Sequence, residues 1–157
     1  MKKDNDKLHW GAIVNSDQQR ISEQFLHWSK VNDKVEILRN GLHCVPLRGV
    51  ALRLLLLLDN DMRKAVFDIL VNLASVGHSD IQLCRDVIQV MPRKWVLDRI
   101  MAVMDSVLRD NPDDYEVYRR YAELLNELDQ NLLRQLVERA ALSSDIDVQE
   151  VASDFME

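Results

Sequence analysis

At 157 residues the chain is sized for one domain, and a 47% share of hydrophobic residues is enough to bury a core. Four Gly and three Pro leave little punctuation for strand turns, and no stretch alternates apolar with polar residues, so the composition argues against strand-rich folds and for helices joined by short polar turns. The net charge of −6 conceals a gradient: residues 1–53 hold nine Lys/Arg against six Asp/Glu, residues 54–109 hold seven of each, and residues 110–157 hold four Arg against thirteen acids. That acidic end repels phosphate backbones and argues against nucleic acid as a partner.

Residues 1–14 are expected to form a flexible lead-in, and residues 15–157 a single helical domain. Met1-Lys2-Lys3 is followed by Asp4–Lys7 where the apolar segment of a signal peptide would stand, so none is expected. Ser16-Asp17 caps a helix whose Ile21, Phe25 and Trp28 share one face. Asn32-Asp33 caps a short second helix that Gly41 is placed to stop.

The stretch from Val45 to Ala74 is the most apolar part of the chain. Pro46 suits a first helical turn. Val50, Leu54, Leu57 and Leu58 form one stripe, and Leu52, Leu55 and Leu56 fill the remainder, which predicts a helix covered on more than one side. Exposure of Leu54 and Leu57 would argue instead that a second chain covers them. The apolar run Leu54–Leu58 is far short of the ~20 residues that span a bilayer, so no membrane partner is expected. Asp59-Asn60-Asp61 ends this helix and caps the next, with Met62, Ala65, Val66, Ile69, Leu70 and Leu73 on one face and Gly77 as its stop.

Ser79 or Asp80 then starts the helix IQLCRDVIQV, and Pro92 opens one marked by Val96, Ile100, Val103, Met104 and Val107. Asp110–Asp114 is a turn and cap cluster before Tyr115, Tyr118, Tyr121, Ala122 and Leu125. Asp129 caps a helix with Leu132, Leu133, Leu136, Val137 and Ala140, and Ser143-Ser144-Asp145 caps a last one with Ile146, Val148, Val151, Ala152 and Phe155. About nine helices with short connections imply antiparallel neighbours.

Three consecutive helices recur in order. Val45-Pro46 aligns with Met91-Pro92, Asp59-Asn60 with Asp110-Asn111, and Asp80-x-x-Leu83-Cys84-Arg85 with Asp129-x-x-Leu132-Leu133-Arg134, at offsets of 46, 51 and 49. The segment from Asp59 to Leu73, with Asp61, Met62, Arg63, Ala65 and Leu70, resembles the second-helix start of HEAT repeats. Asp147–Ala152 has the same outline with Gln149 in place of the basic residue, and the recurrence of three helices looks more like armadillo repeats. Residues 112–142 look somewhat like a tetratricopeptide pair, without the small residue where such helices cross closest. The resemblance covers about residues 42–156 and implies a short right-handed α-solenoid. It implies no activity.

Candidate chemistry is sparse. His9, His27, His43 and His78 have no i, i+4 pairing and no Cys at zinc spacing. Cys44 and Cys84 both fall in apolar helical patterns and read as buried, reduced thiols of a cytoplasmic protein. In Asp59-Asn60-Asp61, Arg63 stands where calcium needs another oxygen. The isolated glycines make no phosphate loop. No catalytic residue, cofactor or metal is therefore assigned. The remaining candidates are partner contacts: Trp95 beside Arg93 and Lys94 in a first helical turn, and Tyr118 with Arg119 and Arg120, since Arg and Tyr are common anchors. For the arginines the competing reading is a solvated face with Glu116–Arg120 and Glu123–Arg119 pairs.

These observations point to a non-catalytic protein–protein interaction module or adaptor whose partner is another protein. One alternative is an enzyme or enzyme accessory: some HEAT-like families attach bilin chromophores and others excise alkylated bases, the latter needing a basic face that this chain lacks. The other is a homo-oligomeric structural protein, in the simplest case a homodimer.

Overall fold

The computed structural model describes Glu23, Trp28, Lys30 and residues 32–156. The helix predicted to follow Ser16-Asp17 lies mostly, and the boundary at residue 14 wholly, outside the described residues. The chain divides into two compact units, Met1–Ile37 and Leu38–Glu157. The second carries the features described below.

Among the described residues every regular element is an α-helix: α1 (Lys34–His43), α2 (Val45–Leu57), α3 (Asn60–Ala65), α4 (Phe67–Leu73), α5 (Ile81–Gln89), α6 (Arg93–Asp110), α7 (Tyr115–Leu128), α8 (Gln130–Ala141) and α9 (Ile146–Asp154). The all-helical reading of the composition holds here. No helix among the described residues is long and apolar enough to cross a membrane.

Aspartates set most of the helix starts. The Oδ1 atoms of Asp59, Asp114, Asp129 and Asp145 each accept two backbone N–H groups of the following first turn, at 2.9–3.3 Å. Each cap satisfies donors that have no partner inside the helix. Asp80 makes no such bond at α5. There His78 holds the turn instead: its Nδ1 accepts from the Asp80 N–H at 3.1 Å, which leaves Nε2–H to donate to the Leu73 carbonyl at 3.0 Å.

Three local predictions need correction. Gly41 does not stop α1, which continues to His43. Its missing side chain serves close packing instead, because a Cβ at position 41 would lie 3.2 Å from Cβ of Ala51 in α2. The helix predicted between the Asp59-Asn60-Asp61 cap and Gly77 is broken at Val66, where φ and ψ are −121° and 13°. The Arg39 Nη2 donates to the Ala65 carbonyl at 2.6 Å, inserting a side chain where the helical ladder would run. The second piece, α4, ends at Leu73, four residues short of Gly77.

Arg63 finishes α2 from outside. It is buried, donates Nε–H to the Leu55 carbonyl at 2.8 Å and Nη2 to the Leu56 carbonyl at 3.0 Å, and reaches Asn60 Oδ1 at 2.8 Å. The cation thus occupies the negative end of the helix dipole and satisfies two carbonyls near the helix end.

The helices pack pairwise. The principal contacts of α5 are with α2 and α4, and those of α6 are with α4 and α7; α7, α8 and α9 all pack on one another. Leu52, Leu55, Leu70, Ile88, Ile100, Met104, Leu108, Tyr121, Leu124 and Leu125 form the fully buried centre. The prediction that α2 is covered on more than one side fails for the stripe that holds Val50 and Leu57. The helix buries Ala51, Leu52 and Leu55, on the side where α1 and α5 pack, but leaves Leu47, Val50 and Leu57 more than half exposed. Leu54 is half-buried.

Candidate functional site

The two edges marked by the sequence lie on successive helices and differ in kind. At the start of α6, Arg93 is exposed and its Nη2 donates to Asp129 Oδ2 at 3.1 Å. That carboxylate performs two tasks, since its Oδ1 caps α8. Lys94 is exposed and pairs with Asp98, one turn on, at 2.9 Å. Trp95 is half-buried and does not project freely. Its ring meets Phe67 of α4 edge-on, with centroids 5.0 Å apart and planes at 76°. The Arg99 guanidinium lies 4.5 Å from the ring centroid and the Lys64 ammonium 5.5 Å from it, both favourable for a π face.

Beside Arg93 is a hollow of about 230 Å³ between the end of α5, the start of α6 and the end of α7. Its floor is apolar: Ile88, Met91, Val96, Leu97 and Leu128. Its rim carries Arg93, Gln89 and Glu127, and the Gln89 side-chain amide donates to the Glu127 carboxylate across it. Val90, adjacent in the turn, is exposed.

On α7 the arrangement is structural. Tyr118 is only 3% exposed, so it offers little surface to a partner; its place is in the core and in the wall of a second, more polar hollow with Pro112, Asp113, Arg139, Leu142, Ser143 and Ser144. Arg119 reaches across to Asp154 of α9 at 2.6 Å, not to Glu123 as the sequence spacing suggests. Arg120 pairs with Glu116 at 3.6 Å and with Glu123 at 3.2 Å. Glu123 also accepts from Arg85, a buried arginine of α5. Burial pushes the Glu123 carboxyl up, but the hydrogen bonds from Arg85 and Arg120 outweigh it and hold the group below its ordinary range.

Arg85 is the residue that sequence reasoning missed. Its signal was present, an arginine adjacent to Cys84 in the helix that buries Cys84, Val87 and Ile88. Arg134, aligned with it by sequence spacing, is exposed, so the alignment of the two segments does not carry over to chemistry.

The thiols also separate. Cys84 is fully buried, and burial lifts its pKa to about 12, which keeps it protonated and inert. Cys44, predicted to be buried, is exposed at the junction of α1 and α2, where it occupies the N-cap position. No cluster of three or more His, Cys, Asp or Glu that could hold a metal occurs among the described residues. No family model, curated protein or solved structure matches the chain.

Proposed function

We propose that this chain is a non-catalytic protein-binding module, a short stack of helical repeats of the HEAT or armadillo kind, and that its partner inserts an apolar side chain into the hollow beside Arg93. The observation that carries this reading is the hollow itself: an apolar floor of about 230 Å³ opening at a rim of three polar side chains. A buried apolar anchor surrounded by polar groups is the usual form of an energetic centre in a protein interface. Arg93 keeps most of its surface in water despite its pairing with Asp129, and is free to re-pair with a partner carboxylate.

The test is affinity capture from native lysate with three forms of the full chain: unchanged, Leu97→Trp to plug the hollow, and Arg119→Ala as a control on the other edge. The reading expects a protein retained by the unchanged chain and by Arg119→Ala but lost with Leu97→Trp. Equal capture by all three, or none above background, sinks it.

A further inference from the structure

A second surface, remote in sequence from the hollow, points to a different occupant. The outward side of α2 carries Leu47, Val50, Leu54 and Leu57, of which Leu47, Val50 and Leu57 are 55%, 59% and 54% exposed. Contiguous apolar surface of this kind on a folded chain marks an interaction site. The spacing of these residues is three, four and three, the seam pattern of a coiled coil. It also reads the same from either end. Turned antiparallel about a point level with Leu52, the stripe matches itself: Leu47 falls opposite Leu57 of the second copy, and Val50 opposite Leu54. A stripe complementary to its own reverse is what a two-fold interface requires.

The charges agree. α2 contains no carboxylate, and its two arginines lie off the stripe. Arg48 turns back to donate to the Leu42 carbonyl at 2.9 Å. Arg53 flanks the stripe, and its Nη1 and the Asp80 Oδ1 of α5 come within 3.2 and 3.0 Å of the space over Gly49. The two form no ion pair within 4.0 Å among the described residues. One flank of the stripe therefore bears one cation and one anion, and a two-fold axis brings each toward its opposite on the second copy. An acidic or basic foreign helix would meet only half of that complement.

We infer that α2 is the interface between two copies of this chain, packed antiparallel through Leu47, Val50, Leu54 and Leu57. The seam runs from Leu47 to Leu57, about 15 Å of helix. So short a seam makes a reversible dimer, whose mass depends on concentration.

Sedimentation equilibrium of the full chain over about 1 to 100 μM tests this. The expected mass rises from one chain to two, and Leu54→Glu weakens association at least about a hundredfold while circular dichroism at about 1 μM, where both forms are monomers, shows the helical fold retained. Orientation is read by oxidising a mixture of two Cys44→Ser variants, one with Val50→Cys and one with Leu54→Cys. Antiparallel packing joins position 50 to position 54 in the mixture, and neither variant cross-links efficiently alone. The inference fails if the chain stays monomeric at every concentration, if Leu54→Glu dimerises as the unchanged chain does, or if each variant cross-links best to itself. None of these outcomes bears on the hollow beside Arg93, whose test is separate.

Discussion

The two arginine-bearing edges look alike in sequence: each sets an aromatic residue beside two cations on a helix. In the fold they are opposites. At α7 the arginines are tied into contacts with other side chains of the fold. Arg120 shares Glu123 with the buried Arg85, Arg119 ties α7 to α9, and Tyr118 is in the core. At α6, Arg93 and Lys94 hold their partners from the solvent side, next to a hollow lined by three helices. A cation next to an aromatic residue is thus no guide to contact until the direction of the helix face is known. Charge that is buried holds the molecule together, whereas charge at a rim is available for exchange.

The largest expected effect breaks this comparison if it fails to appear. Glu123→Ala leaves two guanidinium groups without their shared carboxylate and should cost about 3 kcal/mol, lowering the melting temperature by about 10 °C in thermal denaturation. Arg93→Ala should move it by less than about 0.5 kcal/mol. Comparable losses from the two would mean that the edges are equivalent after all.

Acid sharpens the same contrast. The pKa of Glu123 in the folded chain lies below its ordinary value of 4.5, so its ionised form contributes stability above that value, and the contribution is lost as pH falls through the lowered folded pKa. Denaturation followed from pH 7 to pH 3 should therefore show a drop below about pH 4.5 that is shallower in Glu123→Gln. Identical curves would remove Glu123 from the acid response.

Asp129 divides its two oxygens between the roles. Asp129→Ala should cost about 1 kcal/mol through the lost cap of α8, while Arg93→Ala, which removes only the other pairing, leaves α8 intact. Equal losses in urea titrations would show that the Arg93 pairing is structural. The smallest effect on stability is expected from Lys94→Ala, within error of zero, because its pair with Asp98 is exposed on both sides.

Much of the fold was legible in the chain. The caps at Asp59, Asp114, Asp129 and Asp145 are local, made between a side chain and amides two and three residues on, so sequence spacing suffices to find them. The break at Val66 was not legible, since it depends on Arg39 reaching Ala65 across 26 residues. The hollow beside Arg93 was only half legible. Arg93 stood out as a cation in a first turn, but the floor draws on three helices, and no periodicity in one of them reports the gap between all three.

By itself the sequence determined the helical class, the positions of most helix starts and the apolar faces, because those follow from interactions within about one turn of chain. Only the tertiary structure decided which apolar face is covered and which charge is buried. Val50 and Leu52 are equally hydrophobic neighbours by pattern, yet one is more than half exposed and the other fully buried. Arg85 and Arg93 are equally basic, yet one meets its carboxylate from a buried position and the other from the rim. Burial depends on which helices come to lie alongside, and that choice is made between segments far apart in the chain.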